Sequence, residues 1–437
     1  MKKSRIVVAL AVCLMAGSLA AIAQAAPGDT LGISTLVQRI FPSGGAGYNT
    51  LTTGAGEAYT VRDGSTDNGN PLTALGTANA GRETKRTSIS YFGQLTDFQL
   101  ADEESPLRVE FLDPEGGAFT SSWRAGEAMN PQEEDAMIKQ MNAFAQNAPV
   151  ANGDSTKPGM DFVMNTGDIS DSQQYNETLW NRQLIEGGTI NPGSGVAPPV
   201  PGSTPLCPTG LTIRDGGNPS LYTGVQDRSD WPVGLDAVPE GYFYAPDDPD
   251  LVAPTPTNLV PYADAPQYPG LLDRANQPFQ AAGLDVPGYV LFGNHDGLVQ
   301  GNAYASKIFN ELAQGCLKPV ADASQNGGQP TGSLYALILN PNLTESQFLD
   351  LYNNNEDLFT GVPPDPDRRL ISKKQYMDVF KENGQDNGHG FGFVDPAEAT
   401  ASNGSAGYYS WSPSPGIRYV TLDTHSEGGK ILVSDNG

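Results

Sequence analysis

Residues 288–296 read GYVLFGNHD, and this stretch decides the fold. A short apolar run that starts and ends at Gly is typical of a buried strand. The residues that follow carry an amide, an imidazole and a carboxylate, all of which can bind a ligand or a metal. Such groups collect at the carboxyl edge of an α/β sheet. The stretch therefore predicts one strand and one corner of a site.

Three further segments show the same pattern of an apolar run that ends in polar residues. We predict that they also form buried strands. The segments are 88–95 (SISYFGQL), running into Thr96 and Asp97; 161–166 (DFVMNT), running into Gly167 and Asp168; and 417–422 (IRYVTL), running into Asp423, Thr424 and His425.

Helical patterns lie between these strands. The clearest is 131–146, which begins with Pro, has acidic residues in its first turn and then repeats apolar residues at helical spacing. Weaker candidates are 178–186, 303–317 and 372–382. Alternating strands and helices predict an α/β protein with a layered α/β/α sandwich.

The N-terminus has the pattern of a secretory signal peptide over residues 1–25. Basic residues are followed by an uncharged, Ala-rich apolar run over 6–23 and then by Ala-Gln-Ala. An uncleaved membrane anchor is the alternative, because eighteen residues are almost enough to span a bilayer. No later apolar run is that long. We expect a secreted or periplasmic protein with no membrane span after cleavage.

The amino-acid composition argues against one class of function, the binding of nucleic acid. The chain of 437 residues has 25 Lys and Arg against 50 Asp and Glu, a net charge of −25, so phosphate-mediated binding of nucleic acid is not expected.

Residues 26–85 form a polar, Gly-rich extension. A Pro- and Gly-rich insertion at 187–286 is either an ordered lid over the site or a disordered linker. Cys207 and Cys316 either pair or remain free thiols.

The polar residues after three of the strands are metal-type ligands. Oxygen donors with one or two imidazoles suit divalent Mn, Fe, Zn or Mg. A carboxylate between two such ions can help them clamp a phosphoryl group and activate water. The residues are Asp97, Gln99, Asp168, Asp171, Asn294, His295 and Asp296.

The motifs Asp97-x-Gln99, Gly167-Asp168-x-x-Asp171 and Gly293-Asn294-His295-Asp296, in this order, resemble the calcineurin-like metallophosphoesterase superfamily. Gln99 stands where that family usually has His. This variant, with Asp102-Glu103-Glu104 after it, is similar to a bacterial exported subgroup. The resemblance covers about residues 86–425, within a core that we assign to 86–437, and leaves the insertion unmatched.

The resemblance implies two divalent metal ions and a small-molecule phosphate ester as substrate. Asp97 and Gln99 would bind the first ion, Asp168 would bridge both, and Asn294 would bind the second. His295 would act near the leaving-group oxygen, with Asp171 holding its tautomer. Asp296 would be a capping or supporting group.

Each of these residues also has a purely structural interpretation. Asp97 and Asp168 could cap helices, Asn294 could be a turn residue, and Gln99 could be a surface polar residue. Asp171 and Asp296 could each face solvent instead of a site.

The family's later motifs, a lone His and Gly-His-x-His, are not matched. His389 in Gly388-His389-Gly390 comes too early in the chain, and we expect a lid or cap residue there. His425 falls where the family often has a loop without ligands. The chain ends at Gly437, soon after the fourth strand, so we expect a C-terminally truncated product or a natural degenerate homologue.

Three function classes remain. The first is an exported metallophosphoesterase that hydrolyses phosphomonoesters or phosphodiesters. The second is a non-catalytic extracytoplasmic binding protein on a degenerate version of the same fold. An acidic calcium-stabilised protein is the third, and the absence of a D-x-D-x-D-G loop counts against an EF-hand.

Overall fold

A computed structural model describes residues 34–35, 38–42, 51–56, 80–115, 121–149, 151–195, 206–227, 243–247, 267–320, 340 and 342–425. The predicted signal peptide lies outside the described residues, as do most of the N-terminal extension, about half of the insertion and the last twelve residues, 426–437.

The strands, numbered along the chain, are short. They are β1 Gln38–Pro42, β2 Leu51–Ala55, β3 Phe92–Leu95, β4 Phe162–Asn165, β5 Thr189–Ile190, β6 Phe279–Gln280, β7 Gly288–Val290, β8 Leu317–Pro319, β9 Phe359–Gly361, β10 Ser410–Trp411 and β11 Tyr419–Val420.

The helices are α1 Arg82–Lys85, α2 Asn130–Gln146, α3 Tyr175–Glu186, α4 Leu271–Ala275, α5 Lys307–Ala313, α6 Glu345–Asn354, α7 Lys373–Lys381 and α8 Pro396–Ala401. Short 3₁₀ turns lie at Glu110–Glu115, Glu127–Met129, Arg214–Gly217, Glu356–Leu358, Pro366–Arg368 and Phe391–Phe393. Two further turns, Leu298–Gly301 and Asp386–His389, contain residues with positive φ. None of the described helices is long and apolar enough to cross a membrane.

A parallel sheet in the order β3-β4-β7 organises the molecule. Phe92 pairs with Phe162, and Val163 pairs with Gly288, so three of the four predicted strands lie side by side. All four residues of β4 are buried, as expected for the central strand of a sheet covered on both faces. In β3, at the edge of this sheet, Phe92 and Gln94 are exposed, so the predicted burial of that strand is wrong. Mixed α/β structure with a parallel sheet is therefore confirmed.

Helix α2 covers one face of this sheet. A side chain at Gly93 would place its Cβ 2.4 Å from the sulfur of Met141, so glycine allows the helix to approach β3. Ala145 of α2 packs with Val163 and Met160 on this face. The predicted helix at 131–146 is thus confirmed, with Pro131 in its first turn.

The fourth predicted strand does not join the parallel sheet, and its predicted burial is wrong. It forms β11, which pairs antiparallel with β10. Tyr419 packs on Phe162 with ring centroids 4.9 Å apart, while Val420 and Leu422 point outward and are 65% and 73% exposed. Since alternate residues of a strand face opposite sides, a hairpin packed on one face buries only half of its apolar residues.

The predicted helix at 303–317 is shorter than expected. Ser306 caps α5 by accepting a hydrogen bond from the backbone N–H of Phe309, and the helix ends at Ala313. Cys316 and Leu317 then run into β8. The apolar periodicity continues past the end of the helix because these residues are buried in a strand instead.

The described parts of the insertion pack into a second apolar core. Leu206, Val225 and Phe243 contact Phe309 and Leu312 of α5 there. Cys207 and Cys316 form a disulfide with their Cα atoms 4.8 Å apart, which ties this segment to α5. The lid remains a prediction, but the described parts of residues 187–286 are packed against the protein.

Candidate functional site

The loops after β3 and β4 run side by side at the carboxyl edge of the sheet. The backbone N–H of Asp97 donates to Gly167 O (3.1 Å), and that of Gln99 donates to Asp168 O (2.8 Å). Asp97, Gln99 and Asp168 all have positive φ, between 49° and 57°. This conformation is uncommon for residues other than Gly and is concentrated at functional sites.

This turn geometry brings two carboxylates together. The side chains of Asp97 and Asp168 lie near enough to interact electrostatically, and Thr96 donates its hydroxyl to Asp97. Burial raises the pKa of Asp168 above its ordinary value, and the neighbouring carboxylate of Asp97 raises it further. Two carboxylates held this close repel each other unless a proton or a cation lies between them.

The loop after β7 is hydrogen-bonded to the loop after β4. The backbone N–H of His295 donates to Oδ1 of Asp168 (2.9 Å). A Cβ at Gly293 would lie 2.1 Å from that carboxylate oxygen, so only glycine fits there. Oδ1 of Asp296 accepts from the backbone N–H groups of Ile169 and Ser170 at 3.0 and 2.9 Å. Asp296 therefore joins the two loops and leaves the open edge of the site to other residues.

His295 is held by a buried carboxylate. Its Nδ1 lies 2.6 Å from Oδ1 of Asp171, and both side chains are nearly inaccessible to solvent. Burial alone would raise the pKa of Asp171, but Arg108 and His295 together hold it below its ordinary value. An ionised Asp171 accepts a hydrogen bond from Nδ1, and this leaves Nε2 of His295 to face a reacting group.

Behind Asp171 lies a fully buried guanidinium, that of Arg108. It forms ion pairs with Asp171 and Glu127, with Glu110 (2.7 Å) and with Glu103 (3.6 Å). These contacts join the site to a charge network in the interior. Burial raises the pKa of Glu103 to about 7 and that of Glu127 well above its ordinary value.

Three members of this network could also hold a metal ion. Among the described residues, Glu103, Glu110 and Glu127 are the one group of three His, Cys, Asp or Glu residues whose ligand atoms all lie within 4.8 Å of one another. Arg108 contacts all three carboxylates, and Lys318 lies 2.7 Å from Glu110. Because two cations already neutralise the group, we do not assign the predicted metal centre to it.

The remaining predicted ligands lie at the edge of the site. Asn294 is exposed, and its amide nitrogen donates to Gln300 O (3.4 Å), a hydrogen bond that does not use its side-chain oxygen. Gln99 is half-buried, and its backbone oxygen accepts from Asn130. The six predicted catalytic and metal-binding residues are thus carried by three adjoining loops: Asp97, Gln99, Asp168, Asp171, Asn294 and His295.

The two other histidines have very different positions. His389 is buried, with Nδ1 2.9 Å from Gly288 O and Nε2 3.1 Å from Glu186. Gly288 begins β7, so His389 lies at the opposite end of the strand from the site, and the prediction of a lid or cap residue is wrong. His425 lies close to Gly301 beside the site and is near enough for Asp168 to affect its pKa.

Sequence reasoning missed Arg108, because a single Arg is common in any chain. A signal was nevertheless present. In Leu107-Arg108-Val109-Glu110-Phe111 the charges alternate with apolar residues, and all five are buried. Charged residues inside an apolar segment indicate a buried ion pair, because unpaired charges are too costly to bury.

Comparisons of the chain with protein-family models, with curated protein sequences and with solved structures return no match.

Proposed function

We propose that this chain is an exported, metal-dependent phosphoesterase that hydrolyses phosphomonoesters or phosphodiesters at the carboxyl edge of the β3-β4-β7 sheet. One observation carries the proposal. The loops after β3 and β4 are hydrogen-bonded to each other, which brings Asp97 near enough to interact with Asp168, and the loop after β7 donates the backbone N–H of His295 to the same carboxylate. The motifs that carry these residues resemble calcineurin-like metallophosphoesterases, and the layered sheet suits that fold.

The donor set suits divalent metal ions. Asp97 and Asp168 offer carboxylate oxygens, and Asn294 and Gln99 offer amide oxygens, which are the hard donors that Mn, Mg and Zn accept. Burial and, to a smaller extent, the nearby carboxylate of Asp97 raise the pKa of Asp168, and a bound cation would stabilise its ionised form. Two divalent ions bound here would supply a positive field for phosphate and an activated water.

The protein's own residues would then orient the ester and move a proton. Asp171 holds Nδ1 of His295 at 2.6 Å and would stabilise the doubly protonated imidazolium, which could give its Nε2 proton to the leaving-group oxygen. Arg108 keeps Asp171 ionised and in place. Asp296 accepts hydrogen bonds from two loops and maintains their spacing.

Export is part of the proposal. The signal-peptide pattern of residues 1–25 directs the chain to the cell exterior or periplasm. The disulfide between Cys207 and Cys316 suits an oxidising compartment.

Two variants, one on either side of β4, test the proposed function. Asp168→Asn alters the site after β4, whereas Asp161→Asn alters an exposed carboxylate just before the same strand. We expect the purified chain to hydrolyse p-nitrophenyl phosphate or its diester with added Mn²⁺, and Asp168→Asn to abolish this turnover and the binding of Mn²⁺. Asp161→Asn should retain both.

The outcomes separate the candidate functions. Equal turnover in Asp168→Asn and the parent chain contradicts the proposal. Bound Mn²⁺ without turnover of either ester favours the alternative, a non-catalytic binding protein. Circular dichroism of both variants should match the parent chain and so excludes unfolding as the cause.

A further inference from the structure

His425 is held firmly beside the candidate site. Its ring stacks on Phe292 with centroids 6.2 Å apart and an interplanar angle of 24°. Lys373 of α7 donates its ammonium group to the backbone oxygen of His425 (3.0 Å). Phe292 is the last residue before the Gly293–Asp296 loop, so this stacking sets the imidazole against the third strand end.

The imidazole nitrogen Nε2 of His425 is buried and has no hydrogen-bond partner among the described residues. Leaving a buried polar group unpaired costs about 1–3 kcal/mol, so most buried nitrogens are satisfied. We therefore expect Nε2 of His425 to bind a partner inside the site.

The position of Nε2 identifies the kind of partner. A Cβ built at Gly301 would lie 2.5 Å from Nε2 and 2.8 Å from the backbone oxygen of Asn294, so both atoms lie next to the same glycine. Asp168 is near enough to act electrostatically on the ring. An unpartnered imidazole nitrogen near a backbone carbonyl oxygen, with a carboxylate close enough to act on it, is an arrangement that can bind a divalent metal ion.

We propose that His425 is a metal ligand of this site, binding through Nε2, and that it supplies the imidazole that Gln99 does not provide. The inference rests on the proposed function, because it concerns the same metal centre. Stacking on Phe292 holds the imidazole ring, and the hydrogen bond from Lys373 holds the backbone of His425.

The chain's three histidines allow a direct spectroscopic test. With ¹⁵N-labelled histidine, the side-chain nitrogens give three sets of signals, which single substitutions assign. We expect Zn²⁺ to shift Nε2 of His425 into the range of a coordinated nitrogen. His389 lies at the other end of β7 and serves as the internal control, so its signals should not move.

Metal affinity gives a second measurement. His425→Ala should weaken Zn²⁺ binding in equilibrium dialysis by at least about tenfold, the lower range for loss of a group that supports a metal site. Thr424→Ala, which changes the exposed neighbouring residue, should bind Zn²⁺ as the parent chain does.

The results distinguish this inference from the proposed function. If the parent chain binds Zn²⁺ and Asp168→Asn weakens that binding, while the His425 signals do not move and His425→Ala binds normally, then only the role of His425 is overturned. If the parent chain binds neither Zn²⁺ nor Mn²⁺, both proposals fail.

Discussion

Replacing Arg108 with Met tests how the buried charge network supports the site. The guanidinium is fully buried and pairs with four carboxylates, those of Asp171, Glu127, Glu110 and Glu103. Removing one partner of a buried ion pair costs about 3–5 kcal/mol, because a charge is left uncompensated in a low dielectric.

The cations that remain near these carboxylates place the expected cost within this range of about 3–5 kcal/mol. Glu110 would keep Lys318 at 2.7 Å, and Glu127 would keep Arg124 at 2.8 Å, so neither is left without a cation. Asp171 would keep only His295 and a distant contact with Arg124 at 3.7 Å. We therefore expect a loss near the lower end, about 3 kcal/mol of unfolding free energy at pH 8.

The loss should depend on pH. Without Arg108, the folded-state pKa of Asp171 should rise from below its ordinary value, and that of Glu127, which burial already raises, should rise further above the unfolded value of about 4. Stability from a raised folded-state pKa is present at low pH and is lost as the pH rises through that value. The deficit of the variant should therefore shrink as the pH falls from 8 to 5.

Urea denaturation at both pH values measures the effect. Lys374→Met is the control, because it breaks an exposed pair with Asp378 and should cost no more than about 0.5 kcal/mol at either pH. If Arg108→Met does not fold, Arg108→Lys retains the charge and should show a smaller deficit. A deficit like that of the control, or one that does not change with pH, would refute the reasoning.

Three further predictions concern other parts of the molecule. Gly293→Ala should weaken Mn²⁺ binding and lower the melting temperature, because its Cβ would lie 2.1 Å from Oδ1 of Asp168. Equilibrium dialysis measures the Mn²⁺ affinity and calorimetry measures the melting temperature. Values equal to those of the parent chain would contradict the close approach of this loop to Asp168. The double variant Cys207→Ser with Cys316→Ser should lose about 2–4 kcal/mol of unfolding free energy in urea, since the disulfide closes a long loop with a sequence separation of 109; an unchanged midpoint would count against it. Burial raises the pKa of Glu134 well above its ordinary value, so the folded chain binds this proton more tightly than the unfolded chain and loses stability as the pH rises; Glu134→Gln should match the parent chain at pH 4 and be more stable at pH 8, and a deficit at pH 8 would contradict this sign.

Short-range patterns predicted the strands of the parallel sheet well. In 92–95, 162–165 and 288–290 an apolar run followed by polar residues was sufficient to locate each strand, although only β4 is buried along its whole length and Phe92 of β3 is 44% exposed. The same pattern failed for 417–422, where Val420 and Leu422 are exposed. Burial of a strand depends on its neighbours, which an apolar pattern does not specify.

The candidate site was predictable in its residue types and order along the chain. The resemblance of the three motifs assigned a role to Asp171, and the structure brings its carboxylate to His295. No motif pointed to Arg108, and His425 was assigned to a loop without ligands. Their contacts depend on chain segments far apart in sequence, such as Arg108 with Asp171 across 63 residues.

The sequence by itself determined the strand ends and the chemical groups that they carry, because apolar runs, glycines and the polar residues after them act locally. Only the tertiary structure decided which of those groups meet. It placed Asp97 against Asp168, moved His389 to the far end of β7, and brought the unpartnered nitrogen of His425 next to the site. The physical reason is that strand order and packing set distances between remote residues, and these depend on the whole core.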